Sequence, residues 1–120
     1  MLRALASATV LTVSLLGLAA CGDDDSGSKP PTTPVTIDIT VAGDSVEPNG
    51  ERVDVAVGQP VELVVDADAP GEIHVHSDPE QELEYDAGTT TLELEPIEQP
   101  GVVDVESHTL DVVIVQLEVS

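Results

Sequence analysis

The chain has no phenylalanine and no tryptophan, and Tyr85 is its one member of the Phe/Tyr/Trp class. A core must therefore be filled by Val, Leu and Ile. There is one cysteine, Cys21, and one methionine, Met1, so no disulfide can close within the chain. Lys and Arg together number three against 24 Asp and Glu, a formal net charge of −21. Nucleic acid is excluded as a partner, because neutralising phosphates takes basic side chains. An anionic membrane surface would repel the domain as well. High charge with few aromatics is one signature of disorder. Here 41% of the residues are hydrophobic, and they are regularly spaced after residue 34. A folded domain is expected.

The cysteine sits at a telling place. Arg3 gives a basic start, and an apolar stretch runs from Ala4 to Ala20, interrupted only by Ser, Thr and Gly. No acid precedes Asp23. This is the layout of a secretory signal. As a membrane span the run is marginal, since about 20 predominantly apolar residues are needed. Its lower flank, Gly22-Asp23-Asp24-Asp25, has no Lys or Arg to hold a stop-transfer helix. Leu18-Ala19-Ala20-Cys21 resembles the lipobox of bacterial lipoproteins. That resemblance implies a signal peptide at residues 1–20, cleavage before Cys21 and acylation of its sulfur. The expected location is the cell membrane, lipid-anchored on the extracytoplasmic face. Each buried acyl CH2 contributes about 0.8 kcal/mol to such anchoring. After cleavage Lys29 and Arg52 remain against all 24 acids, a formal charge of −22. Such charge attracts cations. It is equally a mark of solvated strand faces or of adaptation to salt.

Residues 21–34 read as the lipidated cysteine and a flexible linker. Asp, Ser and Gly cannot build a core, and Pro30, Pro31 and Pro34 favour extended chain. Residues 1–34 are expected to pack against nothing. From Val35 onward apolar residues alternate with polar ones: Val35, Ile37, Ile39 and Val41; Val53, Val55 and Val57; Val61, Leu63 and Val65; Ile73 and Val75; Leu92 and Leu94; Val103 and Val105. Period two with β-branched residues means half-buried strands. The run from Leu110 to Val119 is apolar on both faces, as in a strand paired on both sides. Asn49-Gly50, Gly58-Gln59-Pro60, Pro70-Gly71, Ala87-Gly88 and Pro100-Gly101 supply turns. About seven or eight short strands predict an all-β, Greek-key β-sandwich over residues 35–120.

The chain has three histidines, His74, His76 and His108. Residues two apart on a strand share a face. With Ile73 and Val75 turned to the core, His74 and His76 both face outward, and two imidazoles so placed can share a metal ion. Glu106 and His108 could add ligands if their loop lies nearby. Equally, histidines in this arrangement pack on neighbours and bond to carboxylates such as Glu72 or Glu106.

Four segments together resemble the cupredoxin-like domains of bacterial envelope proteins. They are Gly58-Gln59-Pro60-Val61-Glu62-Leu63-Val64-Val65, then Glu72-Ile73-His74-Val75-His76 followed by Ala87-Gly88, then Pro100-Gly101-Val102-Val103-Asp104-Val105-Glu106-Ser107-His108. The resemblance covers residues 35–120. It implies a first metal-binding histidine near one end of the sandwich, His74 or His76. It implies further ligands in the loop between the last two strands, at Glu106 to His108, so that all three histidines converge. The departures matter as much. A type 1 copper site takes two His and a Cys thiolate, usually with a weak axial Met. Cys21 is committed to lipid and Met1 belongs to the signal, so that centre and its electron transfer are not expected. The remaining set of nitrogen and oxygen donors suits Cu(II) or Zn(II).

Other chemistry is thin. No phosphate loop or nucleophile motif is present. Ser107 beside His108 points to the opposite face of a strand. The acid pairs Glu82 with Glu84 and Glu93 with Glu95 read as solvated strand faces, and Asp23 to Asp25 lack a calcium-loop pattern. No enzyme activity is expected. The leading expectation is a lipid-anchored domain holding a divalent metal through His74, His76, His108 and Glu106. The alternative is a non-catalytic accessory module docking on an envelope protein partner at the membrane, without metal, with Val64 and Val102 on its exposed faces.

Overall fold

A computed structural model describes residues 29–120. The expected signal peptide at residues 1–20, Cys21 and the expected linker through residue 28 lie outside the described residues. Nine strands form two sheets: β1 (Val35–Ala42), β2 (Ser45–Glu47), β3 (Glu51–Val55), β4 (Val61–Ala67), β5 (Gly71–Val75), β6 (Gln81–Tyr85), β7 (Gly88–Glu93), β8 (Gly101–Ser107) and β9 (Val112–Val119). The first sheet has the order β2-β1-β4-β7 and the second β3-β9-β8-β5-β6. Pairs β1–β4 and β3–β9 are parallel, and the others antiparallel. Among the described residues there is no helix, and none long and apolar enough to cross a membrane.

The alternation is what packs the sheets. Ile37, Ile39 and Val41 of β1, Leu63 and Val65 of β4, Ile73 and Val75 of β5, and Val103 and Val105 of β8 are all buried. Burying one such side chain stabilises the fold by roughly 1.5–3 kcal/mol. The aliphatic core takes in a single aromatic ring, Tyr85. Its hydroxyl closes over Gly71, its register partner across β5–β6, where a Cβ would collide with it. Pro70-Gly71 thus opens β5 at a point where only glycine fits beneath the ring.

Two strands lay beyond the alternation. Strand β2 has three residues, too few to display a period. In β6 an inward position is taken by Gln81, a polar residue that is nonetheless buried. Its amide satisfies a backbone unit, donating to the Glu95 carbonyl at 3.1 Å and accepting from the Glu95 N–H at 2.7 Å. The final run also differs from its reading. Leu110 belongs to a turn, and β9 begins at Val112. Register there jumps from Glu106↔Val113 to Val105↔Val115, leaving Ile114 without a partner on β8. This bulge lets Ile114 and Val115 both reach the core, which explains the unbroken apolar run. As expected, β9 is paired on both sides, with β3 and β8.

The segment before β1 is not contact-free. The Thr33 carbonyl accepts a hydrogen bond from Gln59 at 3.0 Å, and the Val35 N–H donates to Pro60 at 2.9 Å. An extended, proline-rich approach leaves carbonyls open to a neighbouring turn, so the sandwich gathers in the residues just before β1.

Candidate metal centre

Strand β5 turns Ile73 and Val75 into the core, which obliges Glu72, His74 and His76 to face outward. Its neighbours do likewise. Across β6, Glu84 stands opposite Glu72 and Glu82 opposite His74. Across β8, Glu106 stands opposite His74. The register continues past the strand ends, with the His108 N–H donating to the Glu72 carbonyl and the His76 N–H to that of Asp104, at 3.0 and 2.9 Å. The outer face of the second sheet thus carries every histidine of the chain among Glu72, Glu80, Glu82, Glu84, Asp104 and Glu106.

His74 is the centre of this array. Its side chain is 15% exposed, against 43% for His76. The His74 Nε2 donates to Glu72 at 2.5 Å, and Glu82 lies 3.8 Å from the same nitrogen. Its Nδ1 lies 3.2 Å from Glu80. Both ring nitrogens therefore face carboxylates, which favours the imidazolium. Its pKa is raised above 6.5, first by the hydrogen bond to Glu72, against partial desolvation, and further by the charges of Glu72, Glu82 and Glu80.

The three histidines form a row. His108 stacks on His74 with ring centroids 4.4 Å apart and planes 6° from parallel. His76 lies on the other side of His74, at 6.3 Å and tilted by 60°. The expected convergence is met by His74 and His108, which with Glu72 bring donor atoms within 4.8 Å of one another. A second group of the same kind is His74, Glu80 and Glu82. Neither group includes His76 or Glu106. Those two pair instead, His76 Nε2 donating to Glu106 at 2.9 Å. Both carboxylate pairings open to these histidines, Glu72 with His74 and Glu106 with His76, are therefore formed.

Donor chemistry fits a borderline divalent ion. Imidazole nitrogens bind Zn(II) at about 2.0–2.1 Å and carboxylate oxygens at about 2.0–2.2 Å. Lone pairs lie in the ring planes, and stacked parallel rings aim them side by side. One ion shared by His74 and His108 thus needs the rings to tilt toward each other. His108, exposed in the β8–β9 turn, is the ring free to do so. A type 1 copper centre does not fit, for among the described residues there is no cysteine or methionine.

Glu72, Glu80 and Glu82 were not among the ligands read from the sequence. Glu72 repeats the spacing of the Glu106-x-His108 motif, as Glu72-x-His74, and could have been found by it. Glu82 reaches His74 through the β5–β6 register and Glu80 through the turn that precedes β6, neither of which the sequence displays.

No protein-family model matches the chain, and no curated protein does. Among solved structures it is similar to a chain described as "Novel Purple Cupredoxin from Nitrosopumilus maritimus". The TM-score is 0.51 at 19% identity, over 72% of this chain and 99% of that one. The likeness is one of fold, and with the nine strands in two sheets it makes the described domain a cupredoxin-like β-sandwich.

Proposed function

We propose that this chain is a lipid-anchored, extracytoplasmic domain that captures a divalent transition metal, Cu(II) or Zn(II), on the outer face of its second sheet. One observation carries the reading: His74 and His108 lie in contact, with Glu72 close enough to join them around one ion. His74 and His108 would supply nitrogen donors and Glu72 an oxygen. His76 and Glu106 stand beside them as a further nitrogen–oxygen pair. A bound ion would neutralise part of a strongly negative face, and the surrounding carboxylates raise the local cation concentration. The lipobox Leu18-Ala19-Ala20-Cys21 supports placement at the membrane, where such a domain would collect or hand over metal.

Calorimetric titration of the chain with Cu(II) and Zn(II) tests the proposal. Binding with a Kd below about 10 μM is expected, since weaker sites would not hold scarce ions. Weaker binding, or equal binding by His74→Ala, would overturn it. The accessory-module alternative finds less support. Among the described residues Val102 is the one large apolar side chain that is exposed. A single surface valine does not make a docking patch.

A further inference from the structure

We infer that the face holds two divalent ions per chain, one on each nitrogen of His74, with the imidazole as the bridge between them. This rests on the metal-capture reading above and specifies its stoichiometry. The geometry behind it is that His74 belongs to two donor groups and that each of its ring nitrogens faces a carboxylate, Nε2 facing Glu72 and Nδ1 facing Glu80. Nε2 meets Glu72, and His108, of the same donor group, stacks on the face of the ring. On the Nδ1 side stands Glu80, whose Oε1 lies 3.2 Å from His74 Nδ1. Its other oxygen, Oε2, lies 4.0 Å from His76 Nδ1. Glu80 thus links the two neighbouring histidines through one carboxylate, and an ion seated there would draw on all three groups. Glu82 is 3.8 Å from His74 Nε2 and belongs to the same donor group as Glu80. Its side chain is 66% exposed, free to follow either nitrogen.

The nitrogens of an imidazole diverge in the ring plane, so one ion cannot use both. Two separate carboxylates facing them are redundant for a single ion and sufficient for two. The Glu72 and Glu80 side chains are partly exposed, 31% and 49%, so each can swing outward to admit an ion between itself and the ring. Coordination at Nε2 leaves a neutral ring with its proton on Nδ1. Coordination at Nδ1 then releases that last proton to solvent and leaves an imidazolate. The three carboxylates of the two groups, Glu72, Glu80 and Glu82, together with the imidazolate offset the four positive charges. All three histidines acquire a role: His108 in the first group, His76 beside the second, His74 in both.

Native mass spectrometry and calorimetry of the full chain in detergent, with any free Cys21 thiol alkylated, read the stoichiometry with Zn(II). Two ions are expected. Glu80→Gln, an isosteric change at a half-exposed site, should leave one ion, and so should His108→Ala through loss of the other group. His74→Ala should leave none. With Cu(II), the first equivalent should give a full electron paramagnetic signal. The second should lower it, because two coppers joined by an imidazolate couple antiferromagnetically. One ion in the parent chain, unchanged by Glu80→Gln, would overturn the two-ion inference and leave metal capture standing. Two full-strength, independent copper signals would overturn the bridge. No ion at all would overturn both proposals.

Discussion

The outer faces of the two sheets are built by the same rule and differ in content. On the first sheet Asp38, Val64 and Thr91 lie side by side across β1, β4 and β7, flanked by the rows Thr36, Glu62, Glu93 and Thr40, Asp66, Thr89. This face has acids spaced by threonine and one valine, and no histidine. On the second sheet three imidazoles stand among six carboxylates. Both faces are acidic, so negative charge is the general solvation device of this fold. The difference lies in nitrogen donors set at cross-strand distance from oxygen donors. Charge draws cations to either face, and among the described residues only the second sets histidine nitrogens beside carboxylate oxygens.

The sharpest way to break the comparison is to remove the nitrogen common to both donor groups. His74→Ala should weaken Zn(II) and Cu(II) binding roughly 100-fold or more, since it removes the nitrogen donor that both groups share. Asp38→Ala on the first sheet should leave the affinity within about twofold, as the loss of one distant, screened charge. Calorimetry compares the two variants directly. The converse experiment builds the missing element. In the His74→Ala background, Val64→His with Thr91→His would place adjacent imidazoles beside Asp38. Copper binding should recover by about tenfold or more if donor placement is what counts, as preferred geometry and ligand type dictate. No recovery would mean that the second face contributes something beyond its donors.

A smaller effect separates the faces without metal. The pKa of His74 is raised in the fold, chiefly by its hydrogen bond to Glu72. A group that binds its proton more tightly when folded stabilises the fold while it is protonated in both states. That contribution is fully present below pH 6.5 and fades as pH rises through the higher folded value. Urea unfolding in the presence of a chelator, followed from pH 5.5 to 8.5, should show this loss in the parent chain. It should be absent in His74→Gln and unchanged in Asp38→Asn. An identical pH profile for all three would show that the Glu72–His74 contact has no energetic weight.

How much of this was legible follows from what a period can encode. Alternation marked β1, β4, β5 and β8, because each has one face in the core and one in water. It also fixed His74 and His76 outward once Ile73 and Val75 were assigned inward. It failed where a polar side chain takes a core position, as Gln81 does, and where a bulge hides the phase, as at Ile114. The site was legible along a strand and obscure across strands. His108 was brought to His74 by the resemblance to a known fold, not by spacing. Glu106 stands opposite His74 in register, yet its carboxylate reaches diagonally to His76, a choice of rotamer that no sequence motif records. Glu80 follows from the β5–β6 turn, whose length alone decides which glutamates meet the imidazole.

The smallest predicted effect tests whether the acids themselves differ between the faces. Glu62 and Glu93 are direct cross-strand partners on the first sheet, two like charges with no histidine between them. Such a pair is destabilising by roughly 0.2–1 kcal/mol. Glu93→Gln should therefore raise stability by about that amount, measured by urea unfolding at low ionic strength near pH 6. On the second sheet Glu82 has His74 as its cross-strand partner, which is cationic under those conditions. Glu82→Gln removes an attraction and should shift stability the opposite way. Both effects should shrink in about 1 M salt, where the screening length falls to about 3 Å. If both substitutions stabilise equally, net charge rules both faces, and the histidines are guests in an acidic surface. Opposite signs mean that the second face has been organised around its imidazoles even before a metal arrives.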